Sequence, residues 1–307
     1  MKKIGFMFPG QGSQLVGMGK DFYDQYSWAE KIYNDAGILL GFDLADVSFN
    51  GPEEKLRQTR FTQPALYVHS MVVATALKEK NIVPDVVAGH SLGEFSALAC
   101  AGAFTLEEGL RLVKERADLM QKAGELSPGS MAAIIGMSCE DVEDICREAS
   151  KRGIVQPANI NSPQQIVISG SREGIEEAIK IAEKRGAKRV IELPVSGAFH
   201  SPLMSYASES FGSVLEKTNF SKARIPVYAN VTASPVRECD EIRSLLHKQL
   251  LNPVRWLESV QNMIRDGVSI FIEVGAGKVL SGLVKRIDRD VTTFQCSTVE
   301  DVEKIKF

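Results

Sequence analysis

An α/β fold is predicted for this 307-residue chain: a largely parallel sheet covered by helices on both faces, with a smaller unit inserted into it. Three features predict it. Strand-like and helix-like apolar periods alternate through most of the length, as parallel sheets require when each crossover carries a helix. Residues 128–196 break that rhythm with the order strand, helix, strand, strand, helix, strand, which is ferredoxin-like. Gly-rich turns follow short apolar strands, at the edge where such sheets place their sites.

Residues 4–8 read as a short buried strand, stopped by Pro9-Gly10. Residues 28–39 carry a helical period, and Gln63-Pro64 opens a long apolar helix over 65–79 that contains no Gly or Pro. A brief buried strand over 85–88 runs into Gly89-His90-Ser91-Leu92-Gly93 and a small-residue helix from 94 to about 101. Residues 106–126 form an amphipathic helix that Pro128-Gly129 breaks. The inserted unit then reads as strand 131–135, helix 140–151, strands 154–160 and 165–169, helix 174–185 and strand 189–193. Gly153 stands where a helix C-cap is expected, and Asn161-Ser162-Pro163 signals a hairpin turn. Residues 225–230 and 269–274 return to the main sheet as buried strands, separated by a helix over 256–265. The large domain is thus expected over 1–127 and 197–307, and the inserted subdomain over 128–196.

Composition narrows the function classes. The chain carries 36 Lys+Arg against 39 Asp+Glu, a net charge of −3, so it lacks the bulk positive field of a nucleic-acid binder. Charged residues, Pro or Gly interrupt every apolar run before the roughly 18 residues that span a bilayer. Met1-Lys2-Lys3 resembles the charged start of a signal peptide, but the apolar stretch after it ends at Pro9-Gly10, too early for one. Cys100, Cys139, Cys146, Cys239 and Cys296 are scattered and show no metal-ligand or disulfide spacing, which points to a reducing compartment, the cytoplasm. No metal or cofactor is expected, and a monomer is.

Gly89-His90-Ser91-Leu92-Gly93 fits G-x-S-x-G, a turn between strand and helix in which glycines leave room beside a strained serine and the helix N-terminus aims N–H groups at it. The pattern also arises as a purely structural turn; the strand before it and the helix after it favour a nucleophile. Four histidines are candidate bases. His90 should project away from the serine, His69 lies on the apolar helix, and His247 sits in a polar turn. His200, in a small-residue loop where the chain returns to the main sheet, also follows the serine in the chain as in α/β-hydrolases, and is the expected base. Gly10-Gln11-Gly12 mimics a dinucleotide fingerprint, but Leu15 stands where the third glycine belongs. The loop can instead bring the Gln11 N–H to a substrate oxygen as half of an oxyanion hole. Gly275-Ala276-Gly277-Lys278 fails as a P-loop, because Ile272 and Val279 occupy the required Gly and Ser/Thr positions. Arg116, on the apolar face of the 106–126 helix, reads from the sequence alone as a surface charge with a packed stem.

Taken together, several motifs resemble those of malonyl-CoA:acyl-carrier-protein transacylases of the bacterial fatty-acid synthesis type. They are Gly10-Gln11-Gly12-Ser13-Gln14, Thr62-Gln63-Pro64-Ala65, Gly89-His90-Ser91-Leu92-Gly93-Glu94, Arg116 with its neighbours, Gly197-Ala198-Phe199-His200-Ser201, Asn230-Val231-Thr232, and Gln249-Leu250 followed by Pro253-Val254-Arg255-Trp256. The resemblance runs nearly end to end. It implies a large α/β-hydrolase-like domain, an acylated Ser91, His200 as base, and oxyanion N–H groups from Gln11 and Leu92. It further implies that Arg116 holds a malonyl carboxylate, that the Gln249 backbone carbonyl orients His200 in place of a triad carboxylate, and that the bulky Phe199 excludes branched acyl groups. The implied substrates are malonyl-CoA and the phosphopantetheine thiol of an acyl carrier protein. Carriers of this kind are acidic, which marks Lys184, Arg185, Lys188, Arg189, Lys278, Lys285 and Arg286 as docking candidates. A serine hydrolase such as a thioesterase, and a non-catalytic acyl-binding module, are the competing classes.

Overall fold

The computed structural model describes residues 2–195 and 197–306; Met1, Ser196 and Phe307, which fall at the ends of the expected domain segments, lie outside the described residues. In chain order the strands are β1 (Lys3–Phe8), β2 (Val86–Gly89), β3 (Ser130–Ile135), β4 (Val155–Ser162), β5 (Gln165–Gly170), β6 (Arg189–Glu192), β7 (Val227–Tyr228), β8 (Pro235–Val236), β9 (Val268–Val274) and β10 (Thr292–Cys296). They form a large sheet in the order β10-β9-β1-β2-β7-β8 and a small one in the order β4-β5-β3-β6. All neighbours in the large sheet are parallel except the short edge strand β8, while the small sheet is antiparallel throughout.

The predicted mixed α/β architecture is therefore the observed one, and the reason is visible in the strands. β1 and β9 are almost continuously apolar because helices cover both faces of the sheet. Phe6 and Phe8 point into the larger core, and Met7 between them points into the core on the opposite face. The antiparallel sheet has its own core, in which Ile134, Ile166 and Ile168 meet Val142, Ile145 and Ile175 of its two helices, Cys139–Ala149 and Arg172–Lys184. Among the described residues no helix is long and apolar enough to cross a membrane.

Three local expectations are corrected. The long apolar helix begins at Thr59, not after Pro64, so Pro64 lies inside Thr59–Glu79; Thr62, whose hydroxyl donates to the carbonyls of Leu56 and Gln58, ties down the turn that precedes the proline. The expected strand over 225–230 shrinks to β7, because Asn230 leaves the sheet to bond the turn after β2. Gly153 is not a helix cap, since the helix ends at Ala149; a side chain at 153 would sit 2.3 Å from the Ser171 hydroxyl.

β1 and β2 end side by side at the centre of the large sheet, with Phe8 in register with Gly89. The two Gly-rich loops that follow them are consequently neighbours. That adjacency sets the nucleophile turn beside the Gln11 loop.

Candidate active site

Ser91 sits at φ 52°, in the left-handed region that a side chain enters at a cost of roughly 1–2 kcal/mol. The flanking glycines make the turn sterically feasible. A Cβ on Gly89 would lie 1.9 Å from the Gly93 carbonyl carbon, and one on Gly93 would lie 2.0 Å from the Phe8 oxygen. Asn230 then clamps the turn: its Oδ1 accepts the Ser91 N–H at 2.8 Å, and its Nδ2 donates to the Gly89 carbonyl at 2.7 Å. Gly93–Cys100 continues from the turn as a helix, and Leu92 is its cap. Neither the Gln11 nor the Leu92 backbone N–H meets a protein acceptor among the described residues, so both donors are free beside the serine.

His200 lies 2.8 Å from Ser91, Nε2 to Oγ. Its Nδ1 faces the backbone carbonyls of Gln249 at 2.9 Å and Asn252 at 3.2 Å, which only accept. Nδ1 therefore carries the proton of the neutral ring, Nε2 accepts, and the Ser91 hydroxyl donates to it. His200 is itself at φ 58° and 3% exposed. Ser201 steadies the loop by donating to the Ala198 carbonyl and capping the short 3-10 turn Pro202–Met204. Gln156 of β4 donates to the His200 and Leu251 carbonyls, so the small sheet holds the base in place. Burial, and after it the Arg116 charge, push the His200 ring down to about 3.

Arg116 is completely buried, which overturns its reading as a surface charge. Nη1 donates to Gln63 Oε1 at 2.8 Å, and Nη2 donates to Ser91 Oγ at 3.1 Å and to Gln249 Oε1 at 2.9 Å. The Phe95 ring lies 5.3 Å from the guanidinium carbon, and Nε has no partner among the described residues. Burial lowers Arg116 to about 9, partly opposed by Glu94. Glu94, also buried, is raised to about 7 by the same loss of water, against hydrogen bonds from the Gln249 side chain and the Asn230 backbone. Glu94, Asn230 and Gln63 all stand within motifs visible in the sequence, yet sequence reasoning assigned none of them a place. Their partners lie across the fold, and no spacing announces them.

The serine opens into a pocket of about 90 Å³ walled by Gln63, Met120, Met131, Val195 and Phe199, with Gln11, Leu92 and His200 at its mouth. A cleft of about 540 Å³ adjoins it, lined by Asn159, Asn161 and Gln165 of the small sheet and by His90, Leu15 and Val279. His90 does turn away from Ser91, toward Asn161 Oδ1 at 2.8 Å, but it lines this cleft and is no bystander. His69 is buried and His247 exposed. Of the basic candidates, Lys278 precedes Val279 on the rim, Arg286 donates to Gln165 of the cleft wall, and Arg189 stands in the same sheet row as Gln165. Arg185 is paired with Glu148, and Lys285 is tied to the carbonyls of Arg289 and Val291.

A serine and a neutral histidine, two free N–H donors and a buried cation around one small pocket suit acyl transfer to and from a serine. The family model that describes the acyl transferase domain matches residues 5–302. A malonyl CoA-acyl carrier protein transacylase from Bacillus subtilis is 44% identical over 304 residues, spanning 99% of this chain and 96% of that relative. The chain belongs to the malonyl CoA-acyl carrier protein transacylase family. Another member, from Staphylococcus aureus, is 43% identical over 99% of this chain and 98% of its own length. Among solved members, the Coxiella burnetii transacylase superposes with a TM-score of 0.95 at 38% identity, covering 98% of this chain and 96% of that one. A malonyl-transacylase solved in complex with its type II PKS acyl-carrier protein also gives 0.95 at 38% identity, over 98% of both chains. As a member of this transacylase family the chain is an acyltransferase, and its parallel core with a small antiparallel sheet is the family's architecture.

Proposed function

We propose that this enzyme moves a malonyl group from malonyl-CoA to the phosphopantetheine thiol of an acyl carrier protein, through a malonyl ester on Ser91. The observation that carries this reading is the single oxygen shared by base and cation. Ser91 Oγ lies 2.8 Å from His200 Nε2 and 3.1 Å from Arg116 Nη2. His200 takes the hydroxyl proton as Oγ attacks the thioester carbonyl, and the Gln11 and Leu92 N–H groups receive the charge on the carbonyl oxygen, one such donor being worth roughly 2.7–4 kcal/mol. The C–S bond breaks, the CoA thiolate takes the proton from His200, and CoA leaves. The carrier thiol repeats the sequence in reverse, so the kinetics are ping-pong.

Arg116 supplies the planar, bidentate cation that a buried carboxylate needs in place of water. Phe199, against the same pocket, closes the space beside the acyl α-carbon. Lys278, Arg286 and Arg189 frame the cleft mouth for an acidic carrier.

Intact-mass measurement tests the acyl-enzyme, and transfer kinetics test the rest. Malonyl-CoA should add one malonyl group to the wild type and none to Ser91→Ala. Phe199→Ser should gain methylmalonyl transfer by about 10-fold, since one methyl in an apolar pocket is worth roughly 1–3 kcal/mol. Raising ionic strength about tenfold should raise the KM for the carrier far more than for a small thiol. Malonylation of Ser91→Ala would sink the mechanism, release of free malonate in place of transfer would make the enzyme a hydrolase, and equal salt sensitivity would remove the patch.

A further inference from the structure

We propose that Glu94 is the positioning residue of the carboxylate pocket: through the Gln249 side-chain amide it holds Arg116 turned toward Ser91, and so sets the preference for acyl groups that end in a carboxylate. The proposal rests on the malonyl-transfer reading and names what orients the cation in it. Glu94 stands in the first turn of Gly93–Cys100, where an acidic residue ordinarily faces water and complements the helix dipole. Here it is 3% exposed. A carboxylate removed from water without a partner is costly, and its partners in this structure lead directly to the site.

Gln249 Nε2 donates to Glu94 Oε2 at 2.7 Å and to the Ser91 carbonyl at 3.0 Å. Both amide hydrogens are thereby committed, and only Oε1 remains to face Arg116 Nη2, which it does at 2.9 Å. A carboxylate accepts hydrogen bonds and cannot donate them, so it polarises this chain in one direction. A neutral amide at position 94 can still accept from the Gln249 NH₂, but it lacks the negative charge that strengthens this chain and balances the guanidinium. The side chains that bond Arg116 are all neutral: Gln63, Ser91 and Gln249. Glu94 is the charge that balances it. With Glu94 ionised the pocket is neutral before an acyl group enters, and the cation keeps an uncommitted Nε, without a partner among the described residues. Asn230, whose backbone N–H reaches the same Glu94 oxygen at 3.3 Å, also clamps the Ser91 turn, so one carboxylate indexes both the cation and the nucleophile.

The test is kcat/KM for malonyl-CoA and acetyl-CoA in the wild type, Glu94→Gln, Glu94→Asp, Arg116→Ala and the Glu94→Gln/Arg116→Ala pair. Arg116→Ala should lower the malonyl-to-acetyl ratio by on the order of 10²–10³. Glu94→Gln should lower the ratio about tenfold, and Glu94→Asp should recover part of it. In the Arg116→Ala background Glu94→Gln should change the ratio less than about twofold, because residues acting through one another are not additive. If Glu94→Gln does not unfold cooperatively, Gln249→Leu replaces it: that variant keeps the backbone carbonyl behind His200, removes the relay, and must lower the ratio in the same sense. A parallel fall for both substrates, an unchanged ratio, or a full effect persisting without Arg116 overturns the proposal alone, the wild type still preferring malonyl. A wild type with no preference for malonyl over acetyl overturns the malonyl reading itself.

Discussion

Ser91 at φ 52° and His200 at φ 58° are both non-glycine residues in the left-handed region, 2.8 Å apart, and the chain sustains the two conformations by different means. Around Ser91 the allowance is written two positions to either side, in glycines whose missing side chains admit Gly93 and Phe8. Around His200 it comes from afar: Gln156, Gln249 and Asn252 lie 44, 49 and 52 positions away. Local strain relieved by close backbone approach tolerates no substitution. Strain held by distant hydrogen bonds should weaken by degrees, one partner at a time. The nucleophile is built as a fixed feature of the sheet, and the base is suspended between the two sheets.

The sharpest way to break that contrast is Gly89→Ala. Its Cβ would meet the Gly93 carbonyl carbon at 1.9 Å and the Glu94 nitrogen at 2.3 Å, both backbone atoms that cannot rotate aside. Stability should fall by about 3 kcal/mol or more, and acylation of Ser91 should be lost with it. Thermal unfolding with intact mass after malonyl-CoA reads both. A folded, fully acylated Gly89→Ala enzyme would mean the elbow bends more freely than its contacts imply.

The same contrast explains how much could be read in advance. The helix Leu106–Leu126 lies where its amphipathic period and the Pro128-Gly129 break place it, and the strands of the small sheet fall within a residue or two of those predicted. Gly89 and Gly93 announce Ser91 because a steric requirement at fixed spacing leaves a local pattern. Arg116 left none. A lone arginine on an apolar helix face has the same spacing whether it snorkels to solvent or meets Gln63 and Gln249, and only the resemblance to a known family placed it in the site. Asn230 shortened β7 for a like reason: alternating apolar residues cannot show that the next polar side chain is claimed by a turn 139 positions away.

A milder test cuts one suspension of the base. Gln156→Leu removes the donors to the His200 carbonyl at 2.9 Å and the Leu251 carbonyl at 3.1 Å without touching the elbow. Each lost hydrogen bond is worth about 1 kcal/mol, so kcat should fall about tenfold for malonyl and acetyl alike, while Ser91 stays acylatable. Steady-state kinetics with both donors check it. An unchanged kcat would show that the Gln249 and Asn252 carbonyls hold the imidazole unaided, and that the small sheet shapes the cleft without steadying the base.

The smallest expected effect concerns the charge that the two regions share. Burial first, and the Arg116 cation second, hold His200 down at about 3, against an ordinary value near 6.5. A group lowered on folding contributes stability that is lost as pH falls: below about 6.5 the unfolded chain takes up a proton that the folded ring refuses until about 3. Glu94 has the opposite sign, its raised value making the folded state favourable at low pH and less so as pH rises from about 4.5 through 7. The two slopes partly cancel in a melting curve, so the rate of Ser91 acylation is the better probe of the base. With acetyl-CoA no substrate charge reaches Arg116 and His200 remains neutral, so the single-turnover rate should change less than about twofold from pH 8 to pH 5. A malonyl carboxylate on Arg116 cancels the second of the two influences and leaves the first. The limb set by His200 should therefore lie above that of acetyl, by a fraction of the whole shift, yet still below 6.5, and malonyl alone should show a second fall near 7 as Glu94 takes up a proton. Rapid-quench acylation from pH 4.5 to 8 with both donors separates the cases. Coincident limbs near 6.5 would mean that water reaches the ring, and that neither burial nor Arg116 sets the strength of this base.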